Sequence, residues 1–367
     1  MPTLPSDSTN GSIMKTLLKN TLCLKALLAC LLVISLTEAS SQTPFYQGKT
    51  ITVVSGVAAG GSGDIRIRAL LPFLRRHIPG NPALVVENMP GAGGRKAANH
   101  LYNNARPDGL TIGVLAATAI PLEVLKEGGV MFDSSRFTYL GASEHAFHIM
   151  FISRKEAGIG NLEKLRSTSG IRIGGLTVGH TNYVAARLFT YLLGIKDPKF
   201  ITGYSGTGDV DGALLRGELD ATANGATAIM RRNPDWLDKG MMDFHAIIDI
   251  PKGAKHERFG YLPEIESFAK STREVKLLTT WRTFRLVGSP YVALPGTPKD
   301  RVEILEDAMR KALKDPEFHR DYKKIVGDEV EPVMAEHLTK EIREMPRDPE
   351  VIDLLKNLAG GGPLPPR

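Results

Sequence analysis

The chain has 367 residues, of which 42% are apolar and only 7% aromatic; it contains 37 glycines and carries a formal charge of +6. That size excludes a miniprotein stapled by disulfides and suggests two domains, or one domain drawn out into two lobes. The basic residues are interleaved with acidic ones along the whole length, without the concentrated stripe of a nucleic-acid binder, so no nucleic-acid partner is expected.

Residues 1–41 read as a targeting segment. Lys15, Lys19 and Lys25 precede an apolar run from Ala26 to Leu36, and small polar residues follow through Ser41, the three-part pattern of a secretory signal. The run is too short to anchor in a bilayer. Cys23 and Cys30 both lie inside it, and Cys30 sits in mid-run rather than at its end, which argues against lipidation. The mature chain then has no cysteine and folds on its core alone. The expected destination is outside the cytoplasm.

In the mature chain, Lys49 to Val54 forms a β-rich run that ends in the glycine loop Ser55 to Asp64, and Ile65 to His77 has apolar residues at helical spacing. Pro79-Gly80 closes this helix. A second strand, Ala83 to Asn88, leads into Pro90-Gly91-Ala92-Gly93-Gly94 and a helix from about Lys96 to Asn104. After the turn at Pro107-Asp108-Gly109, Thr111 to Leu115 is a third strand, followed by Ala116-Ala117-Thr118. The opening unit is therefore βαβαβ, which predicts a parallel sheet with right-handed crossovers. The second half repeats the theme. Strands are expected at Ile149–Ser153, Ile171–Leu176, Phe200–Tyr204, Leu219–Ala223 and Asp243–Asp249, with helices at Tyr183–Leu193 and Val210–Arg216. Pro295 to Pro298 introduces a charged helix, Lys299 to Leu313, and Asp315-Pro316 begins another. The expected fold is α/β, with 44–146 plus 248–367 as lobe 1 and 147–247 as lobe 2.

Enzyme signatures are missing. Gly61-Ser62-Gly63 and Gly206-Thr207-Gly208 lack the third glycine of a dinucleotide loop, and no Walker-type glycine-to-Lys loop exists. Gly203 to Thr207 fails as a nucleophile elbow at its last position. His145 and His148 have no carboxylate at metal spacing and read as ordinary histidines. No enzyme activity, cofactor or metal is expected. What remains is a series of strand–loop–helix junctions rich in Gly, Ser and Thr. Helix N-termini leave unpaired N–H groups with partial positive charge, and glycine lets a ligand approach them closely. Ligands of such sheets bind at the carboxyl ends of the strands, where these loops lie. The candidate ligand-binding residues are Ala59, Gly60, Gly61, Ser62, Gly91, Ala92, Gly93, Ala117, Thr118, Gly179, His180, Thr181, Asn182, Ser205, Gly206 and Thr207, and the chemistry they favour is capture of an anion such as a carboxylate. Asp64 reads as the cap of its own loop, because a carboxylate would repel an anionic ligand.

At these same residues the chain resembles the Bug/TctC family, periplasmic receptors of tripartite tricarboxylate transporters. The resemblance rests on Gly60 to Asp64, on Val85-Val86-Glu87-Asn88-Met89-Pro90-Gly91-Ala92-Gly93-Gly94, on Pro107-Asp108-Gly109, on Tyr204 to Gly208 and on Val292 to Pro298, in that order. It implies a type II periplasmic-binding fold whose two lobes close over a mono-, di- or tricarboxylate, a monomeric state, and integral-membrane permease subunits as partners. The sequence departs from the family at Val57-Ala58-Ala59, at Gly63, at Arg66 and at Gly179 to Asn182, which points to His180, Asn182 and Arg66, together with the Ala116–Thr118 loop, as the choosers of the solute. Two alternatives stay open: an exported hydrolase-like enzyme on the same scaffold, and a sensor that passes its ligand-loaded form to a signalling partner.

Overall fold

The computed structural model describes residues 43–367, apart from 144–146, 205 and 328. The expected export signal with Cys23 and Cys30, together with His145 and Ser205, therefore lies outside the described residues. No helix among the described residues is long and apolar enough to cross a membrane.

The body from Tyr46 onward contains two sheets. The first half runs β1 (Thr50–Ser55), α1 (Ser62–His77), β2 (Ala83–Asn88), α2 (Arg95–Asn103), β3 (Thr111–Val114), α3 (Ala119–Val124) and β4 (Thr138–Ala142). β1 pairs in parallel with both β2 and β3, as the alternation of strand and helix patterns predicts. The chain then passes to the second sheet through β5 (Phe147–Arg154), α4 (Leu162–Ser167), β6 (Arg172–Gly174), α5 (Thr181–Leu193), β7 (Lys199–Ile201), α6 (Thr207–Leu215), β8 (Ala221–Gly225), α7 (Ala226–Arg232), α8 (Asp235–Asp238) and β9 (Met242–Ile250). It continues as α9 (Thr272–Leu286), β10 (Tyr291–Ala293), α10 (Lys299–Lys314), α11 (Pro316–Val326), β11 (Val333–Met334), α12 (Ala335–Glu344) and α13 (Pro349–Ala359).

The first sheet has the order β11-β4-β10-β3-β1-β2 and the second β7-β6-β8-β5-β9. Each is covered by helices, which is the doubly layered α/β arrangement expected from the sequence. β10 inserts antiparallel between β3 and β4, so the first sheet is completed by residues from the far end of the chain. α5 is the helical core of the second lobe, buried from Asn182 to Leu193 along its length. It can be apolar on nearly every face because the second sheet covers one side and α13 the other. α12 packs on β4, but α13 packs on α5 and α9, so the C-terminal segment crosses from one lobe to the other. Residues 251–268 stay with the second sheet: the Ile247 amide donates to the Pro263 carbonyl at 3.1 Å, and Phe259 and Leu262 are buried with Trp236 and Met242.

Candidate functional site

The glycine loops fold as local geometry demands. After β1, the backbone N–H of Gly60 donates to Asp64 Oδ2 at 2.9 Å, Arg68 Nε donates to the same oxygen at 2.8 Å, and Asn88 Nδ2 donates to Asp64 Oδ1 at 3.0 Å and to the Val57 carbonyl at 3.1 Å. The Asp64 carboxylate is thus consumed in tying its loop to the end of β2, as its reading as a cap anticipates. The Arg68 hydrogen bond leads in pulling its pKa down, to about 2.

The second loop is a left-handed turn, with φ of 135° at Gly91, 48° at Ala92, 62° at Gly93 and 84° at Gly94. Glycine is demanded most strongly at Gly94, where a Cβ would lie 2.5 Å from that of Ala116. The third loop closes on the second: Thr118 Oγ1 donates to the Gly93 carbonyl at 2.7 Å. Ala59, Gly60, Gly61, Gly91, Ala92, Gly93 and Thr118 are exposed on this edge, and Ala117 is half-buried beside them.

A cleft of about 480 Å³ lies between the lobes. The second lobe lines it with His148, His180, Thr181, Asn182, Asn224 and Arg231, the first with Arg66, Glu329 and Glu331, and Arg285 reaches it from the last turn of α9. Of the candidates from sequence, it brings together His180, Thr181 and Asn182, with Arg66. Ala59, Gly60, Gly61, Gly91, Ala92, Gly93, Ala117, Thr118, Gly179, Gly206 and Thr207 are not among its lining residues.

His180 caps α5: its Nδ1 accepts from the Asn182 amide at 3.2 Å, which leaves Nε2 carrying the proton of the neutral ring. Burial and then the nearby Arg285 charge hold its pKa below the usual histidine range. Arg285 Nη1 donates to Thr181 Oγ1 at 3.3 Å, placing the guanidinium across the start of α5. Asn182 serves as a staple. Its Oδ1 accepts from the Leu176 amide at 3.0 Å and its Nδ2 donates to the Ala223 carbonyl at 3.1 Å, joining the β6–α5 loop to β8. Asn224, Arg231 and Arg285 escape a reading by sequence, and His148 reads there only as an ordinary histidine, because each stands in an ordinary strand or helix pattern and only the tertiary fold brings it to the cleft. A larger cavity, about 680 Å³, lies between α5 and the C-terminal tail. The inter-lobe cleft is the better candidate because both lobes contribute charged and hydrogen-bonding groups to it. Among the described residues, no group of three or more His, Cys, Asp or Glu is placed to hold a metal ion.

No family model matches the chain. A curated relative from Cupriavidus necator, the "UPF0065 protein in gbd 5'region", is 40% identical over 84 residues, which span 23% of this chain and only about a quarter (24%) of the relative. Among solved structures, a TctC solute-binding protein from Polaromonas superposes with a TM-score of 0.63 at 18% identity, covering 85% of this chain and 98% of that one. MatC from Rhodopseudomonas palustris, solved with bound malate, matches with a TM-score of 0.51 at 20% identity over 85% of this chain and 99% of that one. The resemblance noted in the glycine loops is borne out at the level of fold: the chain has the two-lobed α/β architecture of TctC-type periplasmic solute-binding proteins.

Proposed function

We propose that this chain is an extracytoplasmic receptor of the Bug/TctC type, without catalytic activity, which captures a small carboxylate between its lobes and delivers it to an integral-membrane permease. The observation that carries the reading is the convergence of guanidinium groups from both sides of one cleft: Arg66 from the first lobe, Arg231 from the second and Arg285 from α9. Guanidinium groups match the planar geometry of a carboxylate and bind it through paired charge-assisted hydrogen bonds. His180 adds an Nε2–H donor at the N-terminus of α5, where the helix dipole also favours an anion. The exposed loops at Ala59–Gly61, Gly91–Gly93 and Thr118, with Ala117, Gly179, Gly206 and Thr207, form the rim that meets the ligand as the lobes close. Malate in MatC supports a carboxylate as the class of solute.

The test is a thermal-shift screen of the mature chain against acetate, succinate, malate and citrate. A ligand present at a hundredfold excess over its Kd stabilises the folded state by about 2.7 kcal/mol, a shift of several degrees. A panel in which no carboxylate raises Tm would overturn the reading.

A further inference from the structure

We propose that His148 is the ligand-facing half of an Asp–His pair at the floor of the cleft, and that this pair takes up one proton together with an anionic ligand, so that capture strengthens as the medium becomes acidic. The inference deepens the receptor reading above and rests on it.

The pair is built by the sheet. In the antiparallel β5–β9 ladder His148 stands directly opposite Asp249, so both side chains leave the same face of the second sheet where it meets the crossing from β4. His148 Nε2 lies 3.8 Å from Asp249 Oδ1. The same nitrogen lies 2.5 Å from the Ala254 carbonyl. A carbonyl only accepts, so Nε2 carries the hydrogen and Nδ1 is the atom that gains or loses a proton. Asp249 is 4% exposed and its Oδ1 has no hydrogen-bond partner. A buried acid oxygen without a partner is costly, and that cost falls if the neighbouring imidazole is charged.

The surroundings make the proton conditional on the ligand. His256 meets the His148 ring edge-on at 4.9 Å between centroids, so two imidazolium charges there would repel. Burial, followed by the His148 charge, holds the pKa of His256 low. Burial leads in pushing the Asp249 pKa up and the Glu264 charge adds to it, against the charges of His148, Arg282 and Lys255. Glu257 and Arg258 act on His256 with opposite signs. On the cleft side, Arg66, Arg231 and Arg285 stand against a further positive charge, while Glu329 and Glu331 lie on the lining from the first lobe. An anionic ligand removes the opposition of the guanidinium groups. Ligand and proton then each favour the other's binding by the same factor. No bond is broken: the proton comes from solvent and resides on His148 Nδ1. Histidine is the side chain whose charge changes within the pH 5–8 range where such coupling is useful.

The experiment measures malate binding by titration calorimetry between pH 5.5 and 8.5, in buffers of different ionisation enthalpy, on the wild-type chain and on His148→Gln, Asp249→Asn and His256→Phe. The wild type should bind with uptake of about one proton and tighten up to about tenfold per pH unit across part of the range. His148→Gln should lose the proton uptake and keep the weaker affinity of alkaline pH throughout. Asp249→Asn, which preserves shape, should reduce the uptake, and His256→Phe should retain it. Wild-type binding without proton uptake would overturn the inference alone, as would an unchanged pH slope in both His148→Gln and Asp249→Asn. Failure to bind malate, succinate or citrate at any pH would overturn the receptor reading and this inference with it.

Discussion

Substituting Gly94 by alanine tests why the second glycine loop has its sequence. Gly94 has φ +84°, and a Cβ there would meet the Ala116 Cβ at 2.5 Å. Left-handed backbone costs a residue with a side chain about 1–2 kcal/mol. Ala116 is only 8% exposed and its own atoms are packed, so relieving the overlap costs about a further 1–3 kcal/mol. The expected destabilisation is about 2–5 kcal/mol, a fall in Tm on the order of 10 °C for a body of this size. Gly60→Ala is the internal control: its φ is +74°, but nothing lies within 4 Å of the added Cβ, so only the backbone cost applies. The assay is urea unfolding of Gly94→Ala, Ala116→Gly, the double variant and Gly60→Ala. The double variant should recover the steric part, giving a coupling of about 1–3 kcal/mol. If Gly94→Ala is no worse than Gly60→Ala, or the two changes at 94 and 116 simply add, the packing argument fails.

Three further outcomes follow from the same geometry. His245 is buried, pairs with Ser153 Oγ at 2.8 Å and is pushed down to about 4, mainly by burial. The unfolded chain therefore takes up a proton near pH 6.5 that the native state refuses, and stability is lost as pH falls from 6.5 to 4, by about 3 kcal/mol on the usual conversion; urea midpoints across that window should flatten in His245→Gln. Arg187 is 1% exposed and donates to the carbonyls of Leu358, Asn357, Gly362 and Pro363, so Arg187→Met should cost about 2–4 kcal/mol and leave the C-terminal tail open to limited proteolysis, which an intact tail would contradict. Arg285→Ala should weaken malate binding at least tenfold, about 1.4 kcal/mol, while leaving urea stability within about 1 kcal/mol; unchanged affinity would remove Arg285 from the site.

Much of the molecule was legible in the chain because its causes are local. The βαβαβ opening follows from apolar runs of period two and 3.6 separated by glycine turns, and Asp64 could be read as a cap because its acceptors serve an amide four residues away and the next turn of its own helix. The glycines of the second loop are legible too, since positive φ is a property of single residues. The placement of β10 between β3 and β4 was not legible. It is three residues long, antiparallel, and separated from its partners by most of the second lobe, so only the space left in the first sheet selects it.

The floor and walls of the cleft divide in the same way. His180 and Asn182 stand in a short polar loop ahead of an apolar helix, a pattern that local chain chemistry announces, and Arg66 stands out near the start of α1. Arg231, Arg285 and the His148–Asp249 pair carry no such local mark: a strand histidine and an arginine in the last turn of a helix have the same pattern wherever the helix or strand points. Their roles come from the meeting of β5 with β9 and of α9 with α5, contacts between segments a hundred residues apart. Backbone conformation is written residue by residue along the chain, whereas the charge that gathers around a ligand depends on packing among elements that share no sequence neighbourhood.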